Sequence, residues 1–162
     1  MQEKKLRRRI NLCILFFMFA LFISGVTAFP LETELRWFDV HSSFLPTMLS
    51  EWIHKVYSGV QETGLKYSFM AYGTDWLAFA HIVIALAFVG PLRDPVRNKW
   101  VIDWGIINCI LIFPLALIAG HYRGIPFFHQ LIDCSFGLIG LIPLLIARRD
   151  IRELESISML NK

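Results

Sequence analysis

Long apolar stretches alternate with short polar ones along this chain. The apolar runs occupy about residues 10–29, 69–91, 101–120 and 126–147, each close to the ~20 residues a helix needs to cross the hydrocarbon core of a bilayer. The pattern predicts an all-α integral membrane protein, a four-transmembrane-helix bundle forming one domain over residues 1–162. The sizeable polar segment is residues 30–66, between the first and second runs. Within it Leu45, Met48, Leu49, Trp52, Ile53, Val56 and Val60 recur at spacings of three and four, with Ser50, Glu51, His54, Lys55, Ser58 and Gln61 between them. That periodicity predicts an amphipathic helix. Ser42 or Ser43 would cap it, Pro46 is tolerated in its first turn, and Gly64 follows soon after its end. The preceding Glu32, Glu34, Arg36, Asp39 and His41, interrupted by Trp37 and Phe38, read as an ordered loop.

Charge then orients the spans, because Lys and Arg near span ends are retained in the cytoplasm. Of the 16 cations, Lys4, Lys5, Arg7, Arg8 and Arg9 precede the first run, and Arg93, Arg97 and Lys99 lie between the second and third. Arg148, Arg149, Arg152 and Lys162 follow the fourth. The remainder, Arg36, Lys55, Lys66 and Arg123, fall in the alternate segments. Both termini are therefore expected in the cytoplasm, of a plasma or inner membrane, and the amphipathic helix on the outer face. There it would lie along the interface or fold over the bundle mouth as a lid or docking surface. The net charge of +3 is read as a topology signal, with no nucleic-acid partner. A cleaved signal peptide ending at Val26-Thr27-Ala28 is the rival reading of the first run, against which stands the length of that run. Cys13, Cys109 and Cys134 all lie in apolar runs, scattered as packing residues rather than as a zinc-binding set.

The short connections at residues 92–99 and 121–125 make the last three spans antiparallel neighbours. Ala78, Ala85, Gly105, Ala116, Gly120, Gly137 and Gly140 would allow close helix approach, and Pro114 and Pro143 are candidate kinks.

Candidate chemistry lies in ionisable residues within the spans or at their edges: Asp75, His81, Asp103, His121, His129 and Asp133. Taking Arg93, Lys99 and Arg148 as a common floor and ~1.5 Å per residue, Asp75 stands at ~27 Å, His129 at ~28 Å, His121 at ~33 Å, Asp133 at ~22 Å and His81 at ~18 Å. His121, His129, Asp75 and Asp133 are the candidate metal ligands, suited to zinc or a related divalent ion. Haem held by His81 and His129 is disfavoured, since the two differ in depth by ~10 Å. Asp133 and His129, with His81 beneath, could act as general acid and base. Arg123 and Asp75 are the candidate ligand-binding residues, Arg123 for an anionic group such as a lipid phosphate. Asp103 is expected to pair near Arg97 and Lys99 at the interface. The same polar residues could equally form a hydrogen-bond network that fixes helix register.

The expected function is an outward-facing His/Asp cleft that binds a metal ion, a lipid-like or small amphiphilic ligand, or both, and that could extend to catalysis. The alternative is a non-catalytic accessory or scaffold subunit, contacting membrane lipids and other membrane subunits through its outer helix. Ion or proton translocation ranks third, since the inner half offers only Asp103 and Asn108 towards a polar path.

Overall fold

A computed structural model describes residues 2–160; Lys162, counted above among the C-terminal cations, lies outside them. The chain is helical, with no strand among the described residues. In order it forms α1 (Gln2–Ala28), α2 (Leu31–Val40), α3 (Thr47–Lys66), α4 (Ala71–Ala87), α5 (Val89–Arg93), α6 (Lys99–Pro114), a π-helical turn at Leu115–Ala119, α7 (Gly120–Tyr122) and α8 (Phe127–Leu160). Four helical stretches are long and apolar enough to cross a membrane: Gln2–Ala28, Ser68–Arg93, Lys99–Tyr122 and Phe127–Met159. Their apolar side chains do not stop at the helix contacts. Phe16, Phe19, Leu86, Ile107, Leu111, Phe136 and Ile142 are all exposed on the chain, a distribution suited to hydrocarbon rather than water.

Several local expectations need correction. α1 and α8 run well beyond the apolar stretches that marked them, because Leu6, Ile151 and Leu154 continue the buried face among charged residues. Lys, Arg and Glu are good helix formers, so the helix persists where hydropathy falls. The stretch read as a loop is α2: Leu31 and Leu35 share one half-buried face, and Glu32 and Glu34 in the first turn complement the helix dipole. Neither serine caps α3. Ser42 donates instead to the Asp39 carbonyl at 2.8 Å, and α3 starts behind Pro46 without a side-chain cap. Pro114 does disturb its helix: its missing N–H and its ring break the regular ladder, and the chain widens into the π-turn that follows. α8 remains one helix through Pro143.

The contacts divide the described residues into two compact units, one of residues 2–20 with 85–160 and the other Leu21–Ile84. In the first, small residues let α6 and α8 approach closely. A Cβ at Gly137 would lie 2.8 Å from the Cys109 carbonyl oxygen, and one at Gly105 2.7 Å from the Phe88 ring and 2.9 Å from Leu144. Phe17 stacks obliquely on Phe88 at 4.8 Å, and Ile10, Ile14, Ile102, Leu144 and Ile151 are fully buried. The end where α1 starts and α8 finishes carries ion pairs. Arg9 holds the fully buried Asp150 through both carboxylate oxygens, Arg148 holds Asp103, and Lys99 meets Glu155 at 2.7 Å. Asp103 is thus in an ion pair, as expected, and its partner Arg148 comes from α8.

In the second unit the C-terminal part of α1 packs on α4 at Gly25, where a Cβ would lie 2.7 Å from the Ala78 carbonyl oxygen. α2 and α3 pack side by side. His54 Nδ1–H donates to Asp39 Oδ1 at 3.0 Å between them, and His41 donates to the Trp37 carbonyl at 2.8 Å while stacking on its ring. No residue of α2 or α3 is fully buried.

Candidate functional site

The second unit contains a cleft of about 480 Å³. Its walls come from three places. Phe29, Leu31 and Glu32 stand at the start of α2, Trp52, Lys55, Val56, Gly59, Val60, Thr63 and Gly64 lie along α3, and Met70, Ala71, Thr74 and Asp75 open α4. The amphipathic spacing explains the α3 wall: Trp52, Val56 and Val60 belong to the apolar stripe, with Lys55 at its margin. The absence of a side chain at Gly59, which has nothing within 4 Å of its Cβ position, leaves the space open.

The charges in this cleft are notable for their lack of partners. Asp75 is half-buried, yet neither it nor Glu32 has a hydrogen bond or ion pair among the described residues. Lys55 Nζ lies 5.8 Å from the centre of the Trp52 ring, a cation–π contact, rather than on a carboxylate. A concave, largely apolar wall with a few convergent polar groups is the usual form of a small-molecule site. Carboxylates left without partners inside such a wall favour a ligand that brings a cation or several N–H donors.

Asp75 is the one predicted site residue in this cleft. His81, two turns further along α4, donates from Nδ1 to the Leu77 carbonyl at 2.8 Å. That bond is the satisfied state expected of a histidine within a span. The other predicted residues belong to the first unit. Gly120 packs against Gln130, with a Cβ there only 2.8 Å from the Gln130 side chain, so His121 and His129, one residue nearer the turn on each antiparallel helix, stand at one level. The common floor had put them ~5 Å apart. The pairing of Arg148 with Asp103, rather than a level with Lys99, accounts for the difference. His129 Nε2 and Asp133 Oδ1 are 3.9 Å apart, one turn from each other on α8 and both part-exposed. His121 is exposed, with its ring edge-on to Tyr122 at 6.0 Å. Among the described residues no three His, Cys, Asp or Glu side chains converge as a metal would require.

Sequence reasoning passed over Glu32, Trp52, Lys55, Thr63 and Thr74 as site residues. The signal for three of them was the amphipathic stripe of α3, whose margin carries Lys55 and Thr63 beside Trp52; nothing local marked Glu32 or Thr74. It also passed over Gln130, which is buried and donates to the Ile125 carbonyl at 2.7 Å, bracing the turn between α7 and α8. No protein-family model, curated protein or solved structure matches the chain.

Proposed function

We propose that this chain is a four-span integral membrane protein with both termini in the cytoplasm, whose outward-facing cleft binds an amphiphile with an amine-bearing or donor-rich head. The observation that carries the reading is the half-buried Asp75, without a partner in a largely apolar cleft that also holds Glu32 and Lys55. The apolar walls from Phe29, Val56, Val60 and Met70 would take the tail, while Asp75 and Glu32 accept from the head. Lys55 would then meet any anionic group that the head also carries, which makes a zwitterion the best match. The orientation rests on the uneven distribution of Lys and Arg among the segments between spans.

Orientation is tested with a reporter active only in the cytoplasm. It should give signal when fused after Lys162 and none when inserted near Gly59; signal at Gly59 would reverse the topology. Binding is tested by quenching of tryptophan fluorescence with brominated twelve-carbon amphiphiles on the purified protein. The amine should bind about tenfold more tightly than the carboxylate, and Asp75→Asn should remove that preference. Equal affinity for both heads would count against the assignment, as would binding unaffected by Val56→Trp, which fills the cleft.

A second reading, an accessory subunit docking through the α2–α3 pair, is favoured by the exposure of Trp37, Phe38, Val40, Phe44 and Met48. It predicts co-purification with a larger membrane complex that is lost on Phe44→Glu.

A further inference from the structure

The stretch after Pro114 combines an apolar groove with a cation that has no partner. Pro114, Leu115, Ile118 and Ala119 line a shallow depression of about 500 Å³, with Tyr122 and Arg123 at one end. The π-turn forms this surface, with Leu115 and Ile118 at 66 % and 59 % exposure. Arg123 makes no side-chain hydrogen bond or ion pair among the described residues. Its backbone is nonetheless held firmly. The Arg123 N–H donates to the Ala119 carbonyl and the Ile125 N–H to the Gly120 carbonyl, both at 2.9 Å. Gly124 takes φ +67°, a left-handed turn that closes the helix. Gln130 braces the same turn from α8. A guanidinium on a pre-set backbone loses less freedom on binding than one on a mobile loop.

Position along the span completes the argument. Arg123 is ~36 Å along the helix from Lys99, beyond the ~30 Å of a hydrocarbon core, which puts its guanidinium among the lipid headgroups. The groove runs back ~13 Å from it to Pro114, the reach of much of an acyl chain. We propose that this groove is a binding site for one anionic phospholipid, with its phosphate on Arg123 and one acyl chain along Leu115 and Ile118. Tyr122, 83 % exposed at the same level, supplies a hydroxyl donor to the headgroup. The proposal rests on the membrane-spanning part of the functional reading and not on the cleft of the second unit.

The test uses the full-length protein in nanodiscs and, after delipidation, native mass spectrometry with added phosphatidylglycerol or phosphatidylcholine. Wild type should retain one phosphatidylglycerol at least about fivefold more tightly than phosphatidylcholine. Arg123→Gln should abolish the preference, and Arg123→Lys should restore part of it. Ile118→Trp, which blocks the groove and leaves the cation, should weaken retention of phosphatidylglycerol but not of glycerol phosphate. Unchanged preference in Arg123→Gln overturns the proposal. So does competition by free glycerol phosphate at the same concentration as the lipid, since the groove would then contribute nothing. Failure of wild type to enter nanodiscs overturns the membrane reading itself, a result distinct from entry without lipid preference.

Discussion

At one end of the first unit Arg9, Lys99 and Arg148 each have a carboxylate, Asp150, Glu155 and Asp103 in turn. In the cleft of the second unit Asp75 and Glu32 have none, and Lys55 rests on an indole. Both regions hold acids and bases among apolar side chains, so composition does not separate them. Satisfaction does. Paired charges tie three helices together in one arrangement, and a ligand would have to break an existing bond to use them. Unpartnered charges in a concavity can act on a ligand without first breaking a bond within the protein.

The contrast is broken most severely at Asp150. Arg9→Met would leave a fully buried carboxylate uncompensated and should lower the thermal midpoint in detergent by roughly 10 °C. Arg9→Met with Asp150→Leu should recover most of the loss, because a packed apolar pair can replace a buried ionic one. A single variant as stable as wild type would show that the pair holds nothing together.

The next effect concerns packing. Gly137→Ala forces a Cβ to within 2.8 Å of the Cys109 carbonyl oxygen, and should destabilise by ~1–3 kcal/mol in denaturant unfolding. Gly59→Ala, in open space on α3, should instead stabilise by up to ~1 kcal/mol through helix propensity. Equal effects at the two glycines would remove the distinction between a packed interface and an open cleft.

The smallest effect on stability is expected where the effect on binding is largest. Asp75→Asn should shift unfolding by no more than ~0.5 kcal/mol, since no partner is lost, while removing the preference for an amine head. Asp103→Asn, which weakens the bond from Arg148, should do the reverse, with measurable destabilisation and unchanged amphiphile binding. Large destabilisation by Asp75→Asn would place that residue with the structural charges.

Much of the fold was legible because its signals are local. The apolar runs mark four helices of spanning length, the three-and-four spacing marks α3, and the small residues Gly105, Gly137 and Gly140 are buried where close approach was expected. α2 escaped notice because ten residues carry few turns of periodicity and two exposed aromatics blur its face. Of the candidate site, Asp75 was legible as an ionisable group at a span edge. Its neighbours in the cleft were not, since Glu32 and Lys55 look like ordinary surface charges until α2 and α3 fold beside the start of α4.

What the sequence by itself determined is what depends on counting along the chain: helix length, amphipathic stripe, the uneven placement of cations and the positions where no Cβ stands between helices. What only the tertiary structure decided is which charge meets which. Asp150 and Asp75 are both acids beside apolar runs, and although Arg148, Arg149 and Arg152 surround Asp150, none of these near neighbours is the cation that clasps it. A fully buried carboxylate clasped by Arg9 from a helix more than a hundred residues away and a carboxylate facing an open cleft differ only in what the fold brings opposite them. Ion pairing acts over a few ångströms between side chains that are distant in sequence, so helix register across the packed interface, which local patterning leaves open, sets the outcome.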